Sequence, residues 1–348
     1  MIDPVDLTRA LVSTPSLSGQ EDAAVDLLAA VFRSLGWTPE RRGRNLYAFL
    51  GEGPRTLLLN SHTDTVPVGI GWSRDPYKAD VEDGKIYGRG SNDAKGCLAS
   101  MVVGAARAYA SNPPQGRLCL AATCEEETTG KGLEALLPEL PKPDAAVVGE
   151  PTGLQPAVAQ KGLLLLTVTA KGRSAHAAWG GGENAVHAAA EDILALSKLS
   201  FDRSHPALGL PSVQVTQVHG GERHNVIPDV CSITVDIRTT PAYAPEELVA
   251  LVKARVKSEV SVRSQRLVSV ATDPSEPIVA AALAANPEAK PFGSPTVSDW
   301  VFLKDIPTVK VGPGDSRRSH TPDEFVGVDE VRQGASFYEA LVRDFFKR

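Results

Sequence analysis

Leu57-Leu-Leu-Asn-Ser-His62-Thr-Asp64-Thr-Val-Pro67 is the stretch from which the fold can be read. Three leucines form the short apolar run expected of a buried strand. The run then turns polar, and His62 and Asp64 follow two residues apart. In extended chain, side chains at i and i+2 project from the same face. An imidazole and a carboxylate therefore stand together where a buried strand emerges. A metal-binding histidine whose second nitrogen is held by a carboxylate fits this pattern. So does an ordinary His–Asp hydrogen bond at a strand end.

Later runs repeat the arrangement. Leu118-Cys-Leu-Ala-Ala-Thr123 leads through Cys124 into Glu125, Glu126 and Glu127, and Asp144–Gly149 leads into Glu150. Thr308–Val311 precedes the polar segment Gly312–Glu324, which carries His320. Three acids in a row are ordinarily a solvated face, but directly after a core strand such a face is out of place. In open α/β sheets, ligands lie off the carboxyl ends of the parallel strands. Gly88-Arg-Gly-Ser-Asn-Asp93-Ala-Lys-Gly96 opens a helix with apolar positions Leu98, Met101, Val102, Ala105, Ala106 and Tyr109. It lacks the preceding apolar strand and the third glycine of a dinucleotide loop, and no Gly-Lys-Ser/Thr occurs. Delivery of Asp93 into a site is the remaining use for it.

Ser18-Gly-Gln-Glu21 has the spacing of a capping box, followed by Val25, Leu28, Phe32 and Leu35 at helical period and Gly36 as a stop. Strands are expected near Leu46–Leu50 and Leu57–Asn60, with loop and short extended pieces over 67–87. From Gly162 the pattern changes to strand (Leu163–Thr169), helix (184–199), strands (Val213–Val218, Ile233–Ile237), helix (Pro245–Val256) and strand (Leu267–Val270). This β-α-β-β-α-β order predicts a ferredoxin-like unit over 162–270, inserted between 1–161 and 271–348. The α/β pattern resumes with a helix at 276–285 and ends in an amphipathic helix over 328–346. The expected fold class is mixed α/β, with a largely parallel central sheet flanked by helices.

A chain of 348 residues exceeds one compact core and predicts two domains. Charged residues at 22% and hydrophobic ones at 42% fit a soluble globular protein. A net charge of −6 provides no basic field for nucleic acid. The start lacks the pattern of a signal peptide, and no apolar run reaches the roughly 18 residues of a membrane span. The expected location is cytoplasmic. Cys97, Cys119, Cys124 and Cys231 form no Cys-x-x-Cys pair and read as reduced, buried thiols.

His62, Asp93, Glu126 or Glu127, Glu150 and His320 all fall at strand ends or in adjoining loops. Two imidazoles and three or more carboxylates are about what two zinc-like ions need, with one carboxylate bridging. The ordered set His62-Thr-Asp64-Thr-Val-Pro67, Gly88–Gly96, the Glu-Glu pair, Gly149-Glu150-Pro-Thr and Ser319-His320-Thr-Pro resembles the di-zinc exopeptidase/deacylase family. That family includes acetylornithine deacetylase, succinyl-diaminopimelate desuccinylase, aminoacylase and carboxypeptidase G. The resemblance covers nearly the whole chain.

It implies two Zn2+, with Co2+ as a substitute: one held by His62, Asp93 and Glu150, the other by Asp93, Glu127 and His320. Asp64 would support His62. The family shows Asp-Glu-Glu where this chain has Glu125-Glu126-Glu127; matching the downstream threonine makes Glu126 the base, while a one-residue shift would make it Glu125. Gly172-Arg-Ser-Ala-His176 resembles the segment whose histidine reaches the partner subunit's site, implying a homodimer and a lid and dimerisation role for 162–270; His176 also fits a plain surface histidine. Asn225 and Arg238, in His224-Asn225-Val-Ile-Pro228 and Asp236-Ile-Arg238, resemble residues that bind the substrate carboxylate. Lys161 reads as a solvated lysine or a hinge-side or substrate contact. The implied reaction is hydrolysis of an N-acyl amide on a small amino acid, closest to deacetylation of N-acetylornithine in arginine biosynthesis. Acetylcitrulline, acetyllysine, a carrier-protein-linked lysine or ornithine, and a dipeptide or carboxypeptidase substrate are the alternatives, with a non-catalytic binding protein as the rival class. Ser294–Asp299 is expected to border the side-chain pocket.

Overall fold

The computed structural model describes residues 2–348 and divides into two compact units. The first holds the chain up to Val158, Thr272–Phe292 and Ser298–Arg348; the second holds Ala159–Ala271 and Gly293–Val297.

The first unit opens with α1 (Pro4–Val12), where the Asp3 carboxylate accepts the Val5 N–H at 2.7 Å and Pro4 takes the first helical position. In α2 (Asp22–Ser34), Val25, Leu28 and Phe32 are fully buried, and Gly36 at φ +79° lies just past its end. The expected capping box does not form. Ser18 Oγ donates instead to Asp64 Oδ2 at 2.6 Å, and buried Glu21 pairs with Arg44 at 2.6 Å. Both side chains are drawn into charge-assisted contacts with distant residues.

β1 (Glu40–Arg42), β2 (Asn45–Leu50) and β3 (Thr56–His62) follow, then β4 (Val81–Glu82), β5 (Lys85–Tyr87), α3 (Gly96–Ala110) and β6 (Arg117–Thr123). After α4 (Lys131–Leu136) come β7 (Ala145–Val148) and β8 (Ala157–Gln160).

The second unit runs β9 (Gly162–Lys171), β10 (Ala175–His176), α5 (Ala185–Leu196), β11 (Ser212–Gly220), β12 (Val226–Ile227), β13 (Val230–Thr239), α6 (Pro245–Arg255), β14 (Glu259–Leu267) and β15 (Val270–Ala271). Its main sheet has the order β11-β13-β9-β14, every pair antiparallel, as a ferredoxin-like unit requires. Leu164, Leu166, Val168, Ile233, Val235 and Ile237 bury one face of this sheet with Ala189, Leu196, Leu248 and Val252 of the helices. The expected strand at Leu267–Val270 is misplaced. The closing strand is β14, an edge strand whose mostly exposed, polar residues give little apolar signal. Val270 and Ala271 pair instead with Gln160 and Ala159.

The chain then adds α7 (Pro277–Ala285), β16 (Phe292–Ser294), β17 (Thr308–Lys310), β18 (Phe325–Gly327) and α8 (Val328–Lys347). The first unit's large sheet has the order β1-β2-β6-β3-β7-β17-β8. β6, β3, β7 and β17 are mutually parallel, and β2 and β8 border them antiparallel. The register aligns His62 with Thr123, Asn60 with Val148, and Val148 with Lys310. Four C-terminal strand ends thus lie level. Leu59, Leu120, Val147 and Val309 pack with Leu28, Phe32, Leu98, Val102, Tyr338 and Phe345 of the flanking helices. α3 meets α8 closely: a Cβ on Gly104 would lie 2.7 Å from both Ala335 O and Tyr338 Cβ. All four cysteines are free and buried. Among the described residues, no helix is long and apolar enough to cross a membrane.

Candidate metal centre

The aligned strand ends and one turn bring the polar side chains together. His62 closes β3, Glu126 and Glu127 follow β6, Glu150 follows β7, and His320 lies beyond β17. Asp93 comes from the turn before α3, at a cis Asp93–Ala94 peptide. His62 Nε2 lies 3.2 Å from Asp93 Oδ1 and 4.0 Å from Glu150 Oε1. His320 Nε2 lies 3.6 Å from Asp93 Oδ2 and 3.0 Å from Glu127 Oε1. Asp93 therefore turns one oxygen towards each imidazole. Ligand atoms of His62, Glu126 and Glu150 lie within 4.8 Å of one another, as do those of His62, Asp93 and Glu127.

A buried polar scaffold fixes these groups. His62 Nδ1 is 2.9 Å from the main-chain oxygen of Asp64 and 3.5 Å from its Oδ1. The Asp64 carboxylate, fully buried, accepts the main-chain N–H groups of Glu126 and Glu127 at 3.0 and 3.1 Å, together with the Ser18 hydroxyl. It thus anchors the Glu126–Glu127 turn more directly than it orients the imidazole. Glu125 adopts φ +56°; its carboxylate pairs with Arg44 and accepts from Thr129 Oγ1 at 2.8 Å. Of the three consecutive glutamates, Glu126 and Glu127 join the cluster and Glu125 is committed elsewhere.

Charge is crowded here. Burial, reinforced by the Glu150 charge, pushes the Glu126 carboxyl well above its ordinary range. Burial and Asp93 push Glu150 up to about 8. Burial opposes a charge on His62, but its bonds to Asp64 and Asp93 outweigh this and hold it well above an ordinary imidazole. Asp93 is held low against its burial by His62. Packed carboxylates retaining protons around two imidazoles form a set of nitrogen and oxygen donors that suits divalent cations. The nearby Cys97 thiol donates to Pro313 O at 3.3 Å and lies outside this donor set. The residues fit a metal pair.

His176, Asn225 and Arg238 belong to the second unit. His176 is exposed in β10, which pairs antiparallel with β12, its Nδ1 accepting the Ala178 N–H at 3.1 Å, and Asn225 is exposed just before β12. Arg238 makes two bonds to Asp236, at 3.0 and 3.1 Å. Lys161 Nζ donates to Leu210 O at 2.8 Å. In the first unit, Asp299 is buried, accepting from Asn60 Nδ2 and Thr123 Oγ1, both at 3.0 Å. Burial raises it to about 6.

Sequence reasoning assigned nothing to Ser18 beyond a cap, or to Lys310. Burial draws Lys310 down to about 8, against the opposing charges of Glu150, Glu126 and Asp93. A lysine inside the otherwise apolar run Thr308–Val311 was the available signal.

The chain matches the model of peptidase family M20/M25/M40 over residues 58–344. It is 31% identical to acetylornithine deacetylase of Proteus mirabilis (strain HI4320), the alignment covering 98% of this chain and 96% of that protein. A tripeptidase from Staphylococcus aureus superposes with a TM-score of 0.80 at 21% identity, over 99% of this chain and 98% of that one. A dinuclear metal-binding peptidase of the M20 family from Bacillus subtilis superposes with a TM-score of 0.74 at 16% identity, over 98% and 96%. The latter two show the shared fold. With its helix-flanked parallel sheet and ferredoxin-like insertion, the chain belongs to the M20 family of metal-dependent hydrolases.

Proposed function

We propose that the chain is a di-zinc N-acyl-amino-acid deacetylase, acting on N-acetylornithine in arginine biosynthesis, in the cytoplasm and as a homodimer. The observation that carries the reading is Asp93, whose two oxygens face separate imidazole–carboxylate pairs. Two zinc ions, or cobalt in their place, held by His62, Asp93 and Glu150 and by Asp93, Glu127 and His320, would polarise the acyl carbonyl and acidify the attacking water.

Glu126 takes the proton from that water on its carboxylate and returns it to the leaving amine. Asp64 keeps Glu126 in place through its main-chain N–H. The partner subunit's His176 donates to the developing oxyanion, an interaction worth about 3–4 kcal/mol in comparable sites. Asn225 and Arg238 hold the substrate α-carboxylate.

The acetyl group and the ornithine rest on the 31% identity to the Proteus mirabilis enzyme. Turnover by zinc-loaded enzyme on acetylornithine, acetylcitrulline, acetyllysine and a set of dipeptides tests the reading. Acetylornithine is expected to give the highest kcat/KM. Faster cleavage of dipeptides than of any acetylated amino acid would replace the deacetylase by a peptidase. Full activity after exhaustive chelation would remove the metal centre altogether.

A further inference from the structure

Glu324 lies four residues beyond His320 and is almost fully buried. Its Oε1 accepts two consecutive main-chain N–H groups, those of Asn92 and Asp93, both at 3.0 Å. Its Oε2 accepts from Arg89 Nη1 at 2.5 Å, and Arg89 is itself buried, stacked 5.2 Å from the Trp72 ring. The Glu324 main-chain oxygen accepts the Gly88 N–H at 2.9 Å. One residue thus ties the segment carrying His320 to both ends of the turn carrying Asp93.

We propose that Glu324 is a positioning residue for the metal pair: by its reach to two adjacent N–H groups it sets where the Asp93 carboxylate stands relative to His320. The inference rests on the dinuclear reading above. Asp93 is the group both ions share, and His320 belongs to one of them. A looser tether therefore weakens the ion that needs both. The ion pair with Arg89 has a different task, which is to neutralise two buried charges.

Reach and charge can be separated. Glu324→Asp keeps the charge for Arg89 but is one methylene too short to accept both N–H groups. The pair Arg89→Met with Glu324→Gln keeps the length and the accepting oxygen but discards the ion pair, without setting two donors against each other. Both proteins would be stripped, checked for folding by circular dichroism and thermal unfolding, and titrated with Zn2+ against a competing chelator. Co2+ spectra would report the coordination of each ion.

We expect E324D to lose at least tenfold in affinity for the weaker ion with an altered cobalt spectrum, and R89M/E324Q to stay within threefold of the parent. Parent-like binding in E324D overturns the proposal. So does a larger loss in R89M/E324Q than in E324D, since charge would then matter more than reach. A parent protein that binds fewer than two ions contradicts the dinuclear reading itself, a result distinguishable from either of these.

Discussion

At the scale of single residues, the three glutamates after β6 separate by their partners. Glu126→Gln should keep both ions and lose turnover by about 10²–10⁴-fold, the range for a positioned proton carrier. Elemental analysis beside steady-state kinetics checks it, and full activity would remove Glu126 from the role. Arg44 holds Glu125 aside and pairs with Glu21, which is fully buried. Arg44→Ala should destabilise the protein by about 2–3 kcal/mol in urea unfolding, somewhat under the value for a wholly buried pair because Arg44 is 30% exposed. The convergence of His62, Asp93, Glu126, Glu127, Glu150 and His320 was legible because each follows an apolar run or, for Asp93, sits in a glycine-rich turn that opens an apolar helix. Ser18, Glu21, Arg44 and Glu324 were not. Ser18 meets Asp64 46 positions away, Glu21 accepts the Glu125 N–H 104 away, Arg44 reaches Glu125 81 away and Glu324 accepts from Asp93 231 away, and local spacing carries no trace of such pairings.

At the scale of elements, runs with strong apolar periodicity matched their strands and helices. β3 exceeds the expected Leu57–Asn60 by one residue at its start and two at its end because main-chain pairing to β6 continues through Asn60-Ser-His62. β14 was displaced because an exposed edge strand need not be apolar, whereas Val270 is. The α3–α8 contact depends on a missing side chain. Gly104→Val forces a branched side chain against the Ala335 carbonyl and should cost about 1–3 kcal/mol, more than its gain in helix propensity. A fall in the denaturation midpoint at unchanged m-value is the expected reading; an unchanged midpoint would mean that the two helices separate easily.

At the scale of the molecule, the crowded carboxylates link stability to pH and to metal. In the stripped protein, Glu150 at about 8, Glu324 at about 7 and Asp299 at about 6 all bind protons more tightly than in the unfolded chain. Raised carboxyl values stabilise the fold most below about pH 4, and that contribution is lost as pH rises through the folded values. Stability of the stripped protein should therefore fall from pH 5 to pH 7, by up to about 1.4 kcal/mol per pH unit for each group still shifted. The depressed lysines, Lys95 at about 7 and Lys310 at about 8, add little slope below pH 6. Zinc binding near neutral pH should expel protons, seen as a calorimetric enthalpy that varies with the buffer's ionisation heat. A buffer-independent enthalpy would contradict the protonated cluster. The four buried thiols have a separate use. Cys97, Cys119 and Cys124 lie in the first unit and Cys231 in the second, all with burial-raised pKa values that keep them inert towards alkylating or disulfide reagents. Labelling then requires local opening, so Cys119-only and Cys231-only proteins would act as native clocks, each timing how often its own half of the chain comes undone.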